Sequence, residues 1–264
     1  MKMKTIDGSP KTELSLREDI LKIGIKPNAT LMVHSSLRSI GWVLGGPSTL
    51  VQALLNVIGE NGTLIMPAAT PHCADPADWT MPQVPKAWLE TAREHLPIFD
   101  PLITPTSLGA IPETFRTWPG TQRSNHPLES VCARGALAEQ ITQTHPLAFS
   151  EGRGGPFGKL YDLDSWILLI GVGFNRCTAM HFAESLVDKR RVTKVRFPVL
   201  DNCNRIWQEV PNVADDNDTH FPLIGQKYLE KANPRLGAIG EADCILLPMR
   251  ELVDFAVCYF NEVL

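Results

Sequence analysis

Between residues 30 and 66, two short apolar runs bracket one helical pattern, and this order constrains the fold more than any other feature of the chain. Thr30-Leu31-Met32-Val33 has the pattern of a buried strand, and His34-Ser35-Ser36-Leu37 reads as the turn that leaves it. Gly45-Gly46-Pro47 follows, then a helical pattern over Ser48–Ile58 closed by Gly59. Gly62-Thr63-Leu64-Ile65-Met66 is the next strand, stopped by Pro67. Strand, loop, helix and strand in that order predict an α/β layered domain. Helical spacing recurs at Leu14–Ile23, Lys86–His95, Ser107–Trp118, Ala136–Thr144 and Arg250–Val263. Ser130–Arg134, Trp166–Gly173 and Cys244–Leu247 read as further strands.

Two segments break the pattern. Residues 67–105 form a proline-rich excursion over the sheet, and long excursions in compact domains are often binding elements. Asn202–Asp218 is polar and reads as a hairpin plus loop with an acidic tip at Asp215, Asp216 and Asp218.

Composition narrows the function classes. With 264 residues and 44% hydrophobic content, the chain supports one sizeable core, read as a single domain over residues 1–264. Acids exceed bases, 29 to 25, which argues against nucleic acid as the default partner, since a phosphate-tracking protein shows a basic stripe. The apolar runs are far short of a membrane span, and the polar N-terminus lacks the apolar core of a signal peptide. The six cysteines are scattered without a CxxC pair, which predicts that most are small buried hydrophobes in a reducing cytoplasm and that none serves a disulfide framework or structural zinc. His72 and Cys73 are adjacent but have no further ligand at a recognisable spacing, so no metal is expected. No GxSxG elbow marks a serine hydrolase.

The chemistry concentrates after the run Trp166–Phe174, in Thr178-Ala179-Met180-His181-Phe182-Ala183-Glu184. Residues three apart share a helix face, and Thr178 fits as the N-cap. A His that takes a proton beside a Glu that orients it is the minimal equipment of general base catalysis. The same pair also fits a half-buried His satisfied by its neighbour. Cys177, four residues ahead of His181, admits a Cys–His nucleophilic pair. Gly45-Gly46-Pro47 offers free amides at a helix start, suited to phosphate, or is an empty tight loop. His34–Leu37 lies at the carboxyl end of a strand, where α/β sheets bind ligands. Arg123-Ser124-Asn125-His126-Pro127 suits a phosphate or a polar group, or caps a turn. His145-Pro146-Leu147 and the glycine-rich stretch 152–158 complete the inventory.

In this order and at these separations, the segments resemble the aminoglycoside N3-acetyltransferase, or antibiotic N-acetyltransferase, family over about residues 14–262. The resemblance is carried by Val33–Leu37 with Ile40-Gly41-Trp42 and Gly45-Gly46-Pro47, and by Gly62-Thr63-Leu64 with Met66-Pro67. It continues through Thr104-Pro105-Thr106 with Gly109, Arg123–Pro127, His145-Pro146-Leu147, Pro156 with Gly158-Lys159-Leu160, and His181 with Glu184. The YokD-like branch shares the HSSL, SNHP and HPL signatures. The resemblance implies a layered mixed sheet flanked by helices, unrelated to the GNAT fold. It implies a cytoplasmic enzyme with acetyl-CoA as cosubstrate, no metal, and direct acetyl transfer to a small-molecule amine. That amine is most directly the 3-amino group of a 2-deoxystreptamine aminoglycoside, with antibiotic resistance as the consequence. The family's catalytic His maps onto His181 and its partner onto Glu184. CoA contacts are expected from His34, Ser35, Ser36, Leu37, Gly45, Gly46, Pro47, Ser107, Arg123, Ser124 and His126. Contacts to a polycationic acceptor are expected from Asp75, Asp78, Asp215 and Asp216. An acyl-enzyme on Cys177, a different amine as acceptor, and a silent CoA-binding protein are the alternatives; the oligomeric state is not readable.

Overall fold

A computed structural model describes residues 8–214 and 219–264. In chain order its helices are α1 (Glu13–Lys22), α2 (Pro47–Ile58), α3 (Leu89–His95), α4 (Ala110–Arg116), α5 (Ala138–Thr142), α6 (Pro156–Asp162), α7 (Ala179–Ser185), α8 (Phe221–Lys231) and α9 (Met249–Val263). Its strands are β1 (Thr30–Ser35), β2 (Thr63–Pro67), β3 (Gln122–Arg123), β4 (Val131–Gly135), β5 (Trp166–Ile170), β6 (Val192–Asp201), β7 (Asn204–Val213), β8 (Arg235–Ile239) and β9 (Ala242–Pro248). Seven strands make one mixed sheet in the order β3-β4-β2-β1-β5-β9-β8, while β6 and β7 pair as a separate ribbon.

The centre of the sheet is parallel: β1 pairs with both β2 and β5, with His34 opposite Leu169 and Ser35 opposite Ile170. The flanking strands β4 and β9 run antiparallel. Successive strand residues face opposite sides, and both sides are apolar. Leu31, Val33, Leu64, Met66, Leu168 and Ile170 pack with Leu16, Ile20, Leu50, Leu54 and Phe115 of α1, α2 and α4. Met32, Ile65, Ile167 and Leu169 pack on the other side with Phe157, Phe182, Phe221, Leu252 and Phe260 of α6 to α9. A sheet covered on both faces reads as continuous hydrophobic runs, and this explains why the central strands stand out in the sequence. His34 continues the face of Met32, toward α7.

The excursion and the ribbon share a third, smaller core of Cys73, Phe99, Leu128, Phe197 and Val210. The ribbon begins at Val192, ten residues before the expected hairpin, and turns at Asn202 and Cys203, both with positive φ. Helix α6 overlaps the glycine-rich stretch 152–158, and α8 and β8 lie in a segment for which the sequence predicts no element. The acidic tip at Asp215, Asp216 and Asp218 lies outside the described residues. Among the described residues no helix is long and apolar enough to cross a membrane. Four of the six cysteines are buried, as expected of most of them, and Cys203 and Cys258 are exposed.

Candidate active site

The carboxyl ends of β1, β2 and β5 open into a cavity of about 600 Å³. This is the edge where open α/β sheets bind ligands, at the point where the chain leaves β1 for β2 on one side and leaves β5 for β8 and β9 on the other. His34 and Ser35 of β1, Pro67 of β2 and Val172 after β5 form its floor; Ser107, Leu108 and Gly109 ahead of α4 form one side. Glu129, Glu151 and Asn212 of β7 face Cys177, Thr178 and His181 at the start of α7.

Helix α7 has seven residues, too few to be stable alone, and tertiary packing fixes it. Met180, Phe182 and Ala183 are buried in the core, and Phe182 meets Tyr161 at 5.7 Å between ring centroids. This leaves His181 half-buried at the cavity wall, edge-to-face with Phe221 at 4.7 Å. Glu184 is 1% exposed behind it. Burial pushes its carboxyl above the ordinary range, against the opposing pull of Arg191, His181 and His220. Arg191 pairs with it at 3.4 Å. Glu184 is thus a buried carboxylate beside the ring of His181, placed to attract the charge that the imidazole acquires on taking a proton.

The cap of α7 differs from the expectation. Thr178 has helical angles and makes no side-chain cap bond. The Cys177 sulfur takes that place, accepting from the Ala179 and Met180 amides. Even so, burial pushes this thiol up to about 12, so it carries no useful thiolate at neutral pH.

Two polar atoms at the floor have no partner within the described protein: His34 Nε2 and Ser35 Oγ, both shielded from solvent. Burial lowers the His34 pKa to about 4, so the ring is neutral at pH 7. Buried polar atoms are normally bonded, so a pair left open in a cavity wall points to a ligand.

Of the residues expected at CoA, His34, Ser35 and Ser107 line the cavity together with His181. Ser36 instead starts a short 3₁₀ turn and accepts from Ser39 at 3.0 Å, and Leu37 packs on the core. Gly45, Gly46 and Pro47 open α2 as expected, with Gly46 at φ 66, but none of them lines the cavity. Arg123 is turned to the interior, donating to Ser130 and to the carbonyls of Ala68, Pro101 and Thr104. It ties the excursion to the sheet and is not presented to a phosphate. Ser124 bonds His145 and the Val131 amide, while His126 Nδ1 accepts from the amides of Leu128 and Glu129. Both are turn-fixing groups.

The acids differ more sharply. Asp75 is buried and clamped by Arg93 and Arg196, so it is not a free acid for an acceptor. Asp78 is exposed and off the cavity wall, and Asp215 and Asp216 lie outside the described residues. The cavity carboxylates are Glu129 and Glu151, which sequence reasoning missed. Glu151 borders the glycine-rich stretch and Glu129 follows the SNHP turn, but nothing local distinguishes them from surface acids. Among the described residues no group of three or more His, Cys, Asp or Glu side chains is placed to hold a metal ion.

The family model of aminoglycoside 3-N-acetyltransferases matches residues 32–261. The SPbeta prophage-derived aminoglycoside N(3')-acetyltransferase-like protein YokD of Bacillus subtilis (strain 168) is 38% identical over 95% of this chain and 93% of its own. Its crystal structure superimposes with a TM-score of 0.94, at 37% identity, covering 97% of this chain and 95% of that one. Aminoglycoside N(3)-acetyltransferase VII of Streptomyces paromomycinus is 31% identical over 99% of this chain and 95% of its own. The structure of AAC-IIIb in binary complex with CoASH has a TM-score of 0.86 at 30% identity, covering 96% of this chain and 97% of that one. With the antibiotic N-acetyltransferase fold, a cavity at its parallel sheet edge and a family match over most of its length, the chain belongs to the aminoglycoside 3-N-acetyltransferases.

Proposed function

We propose that this chain transfers the acetyl group of acetyl-CoA directly to an amine, the 3-amino group of a 2-deoxystreptamine aminoglycoside. The observation that carries this reading is His181, held by a buried helix at the wall of a cavity large enough for a thioester arm and an amine, with Glu184 behind it. An ammonium has no lone pair, so the amine attacks the thioester carbonyl carbon as the free base, its ammonium proton already lost to solvent, and gives up a further N–H proton as the C–N bond forms. An imidazole, with an ordinary pKa of about 6.5, suits that transfer. His181 takes the amine proton, and Glu184 orients the ring and supports the imidazolium. The C–N bond forms, the C–S bond breaks, and the CoA thiolate leaves with the proton that His181 accepted, which returns the imidazole to its neutral form. Developing negative charge on the carbonyl oxygen needs donors already in place. The neutral His34 ring and the Ser35 hydroxyl, both without partners at the cavity floor, are the side chains assigned to the acetyl-CoA arm. The start of the twelve-residue α2, off the cavity wall, is the end whose helix dipole favours its pyrophosphate.

The test is release of CoA thiol from acetyl-CoA, measured with aminoglycosides that do and do not carry a free 3-amine. The assigned regiochemistry requires that only the former react. His181→Ala should bind acetyl-CoA nearly as the parent does and lose about two to four orders of magnitude in turnover, the usual range for a general base. Turnover near the parental rate would exclude His181 from that role.

A further inference from the structure

His72 is an imidazole beside the cavity that the acetyl transfer does not use. Its Nδ1 lies 2.9 Å from the Ser107 hydroxyl, which opens on the cavity. The excursion holds both residues. His72 sits in the short 3₁₀ turn Pro71–Cys73, and the Ser107 amide donates to the Ala69 carbonyl at 3.0 Å. Burial and the charge of Arg123 hold the His72 ring below the ordinary imidazole range, so it is neutral at pH 7. A neutral ring has one N–H and one acceptor nitrogen. Among the described residues Nε2 has no partner. With its proton on Nε2, toward water, the ring leaves Nδ1 to accept from Ser107, and the Ser107 oxygen turns its lone pairs to the cavity. Of the described lining residues between 67 and 112, Ser107 alone has a hydrogen-bonding side chain; Ala69, Pro71, Leu108 and Pro112 are apolar. The charged lining groups Glu129, Glu151 and Arg176 come from other segments. An apolar wall with one acceptor complements a chain of methylenes broken by amides, and not a polyhydroxylated polycation. On the floor, the open His34 Nε2 and Ser35 Oγ separately call for a ligand with few, spaced polar groups.

We propose that Ser107 accepts a hydrogen bond from an amide N–H of the pantetheine arm of acetyl-CoA, and that His72 is the positioning residue that holds the Ser107 hydroxyl in that orientation. This inference rests on the acetyltransferase reading above and assigns one wall of the cavity to the acetyl donor. His72 touches no substrate. It acts by taking the hydroxyl proton, which polarises the oxygen and makes it the stronger acceptor.

Calorimetric binding of CoA, which needs no turnover, tests the assignment. Ser107→Ala should raise the Kd for CoA about three- to tenfold, the span of one neutral hydrogen bond. His72→Ala leaves the hydroxyl without its anchor and should raise the Kd about two- to fivefold. His72→Asn, whose side-chain oxygen can stand in for Nδ1, should stay within about twofold of the parent. The double variant His72→Ala/Ser107→Ala should bind no more weakly than Ser107→Ala alone, because the two side chains act through one bond. In turnover, the KM for acetyl-CoA should follow these changes while kcat and the acceptor KM stay within about twofold. An unchanged Kd in either alanine variant, a His72→Asn as weak as His72→Ala, additive losses in the double variant, or a loss confined to the acceptor KM would each overturn the proposal. Ser107 opens on the cavity, so Ser107→Ala decides the matter even where His72→Ala fails to fold. If the parent binds no CoA, the acetyl-CoA reading falls and this assignment with it. If the parent binds CoA and the Ser107 effect is missing, the reading stands and the assignment alone fails.

Discussion

Cys177 and His181 stand four residues apart at the start of α7, and burial alone separates their chemistry. The thiol is 1% exposed and its pKa rises to about 12 despite two amides directed at the sulfur. The imidazole reaches the cavity. Spacing in the sequence offered both as nucleophilic partners, because depth is a property of the fold and not of the spacing. The sulfur acts as the helix cap in place of Thr178, and a hydroxyl makes a better cap than a thiol. Cys177→Ser should therefore keep acetyl transfer within about threefold and stability within about 1 kcal/mol. An acyl-enzyme on Cys177 would instead make the same change abolish CoA release, and a single-turnover assay separates the outcomes.

The excursion and the ribbon are joined by one buried carboxylate. Asp75 accepts from Arg93 of α3 and from Arg196 of β6, and Arg196 also lies over the Trp207 ring of β7 at 5.1 Å. Arg205 adds a bond to the Arg93 carbonyl at 2.8 Å. Both guanidiniums are about a third exposed, so solvent screens part of the attraction. Asp75→Asn should cost about 2 kcal/mol, the range for hydrogen bonds to charged groups. Urea unfolding would show this as a lower midpoint, and at low temperature the folded variant should keep its acceptor KM. A large change in that KM with stability intact would return Asp75 to the acceptor site. None of this clamp was legible in the sequence, where Asp75 looked like any acid on a loop. The elements that were legible have one apolar face or two: α1, α2, α9 and the central strands show periodicity because they pack on the main cores. The ribbon was misplaced because Pro198 and Pro211 interrupt its strands and much of both faces meets solvent. Helix α8 carries Pro222 and Gly225, both poor helix formers, which weakens its helical signal in the sequence. Gly225 is there for packing, since a Cβ would come within 2.1 Å of the Phe174 ring.

At the scale of the molecule, the sheet explains both what the sequence disclosed and what it hid. His181 was found because a short helix directly after a buried central strand delivers it to the sheet edge. Glu129 and Glu151 were not, because they come to the cavity through turns whose paths are fixed by bonds to the buried rings of His126 and His145, and those bonds leave no periodic mark in the sequence. Those histidines tie folding to pH. His34 and His145 are neutral when folded, with pKa values lowered to about 4 and about 3, whereas in the unfolded chain each titrates near 6.5. Below 6.5 the unfolded state binds more protons, so stability falls with pH. The contribution is fully present above the unfolded value and is lost progressively as the pH drops toward the folded one. At pH 5 each ring should remove about 2 kcal/mol relative to pH 7.5. Urea midpoints across that window should fall steeply for the parent. His145→Gln should start less stable, since it loses the bond that fixes Ser150, but its stability should decline over the same window by about 2 kcal/mol less. A parallel decline in parent and variant would show that His145 is not among the groups that couple folding to protons.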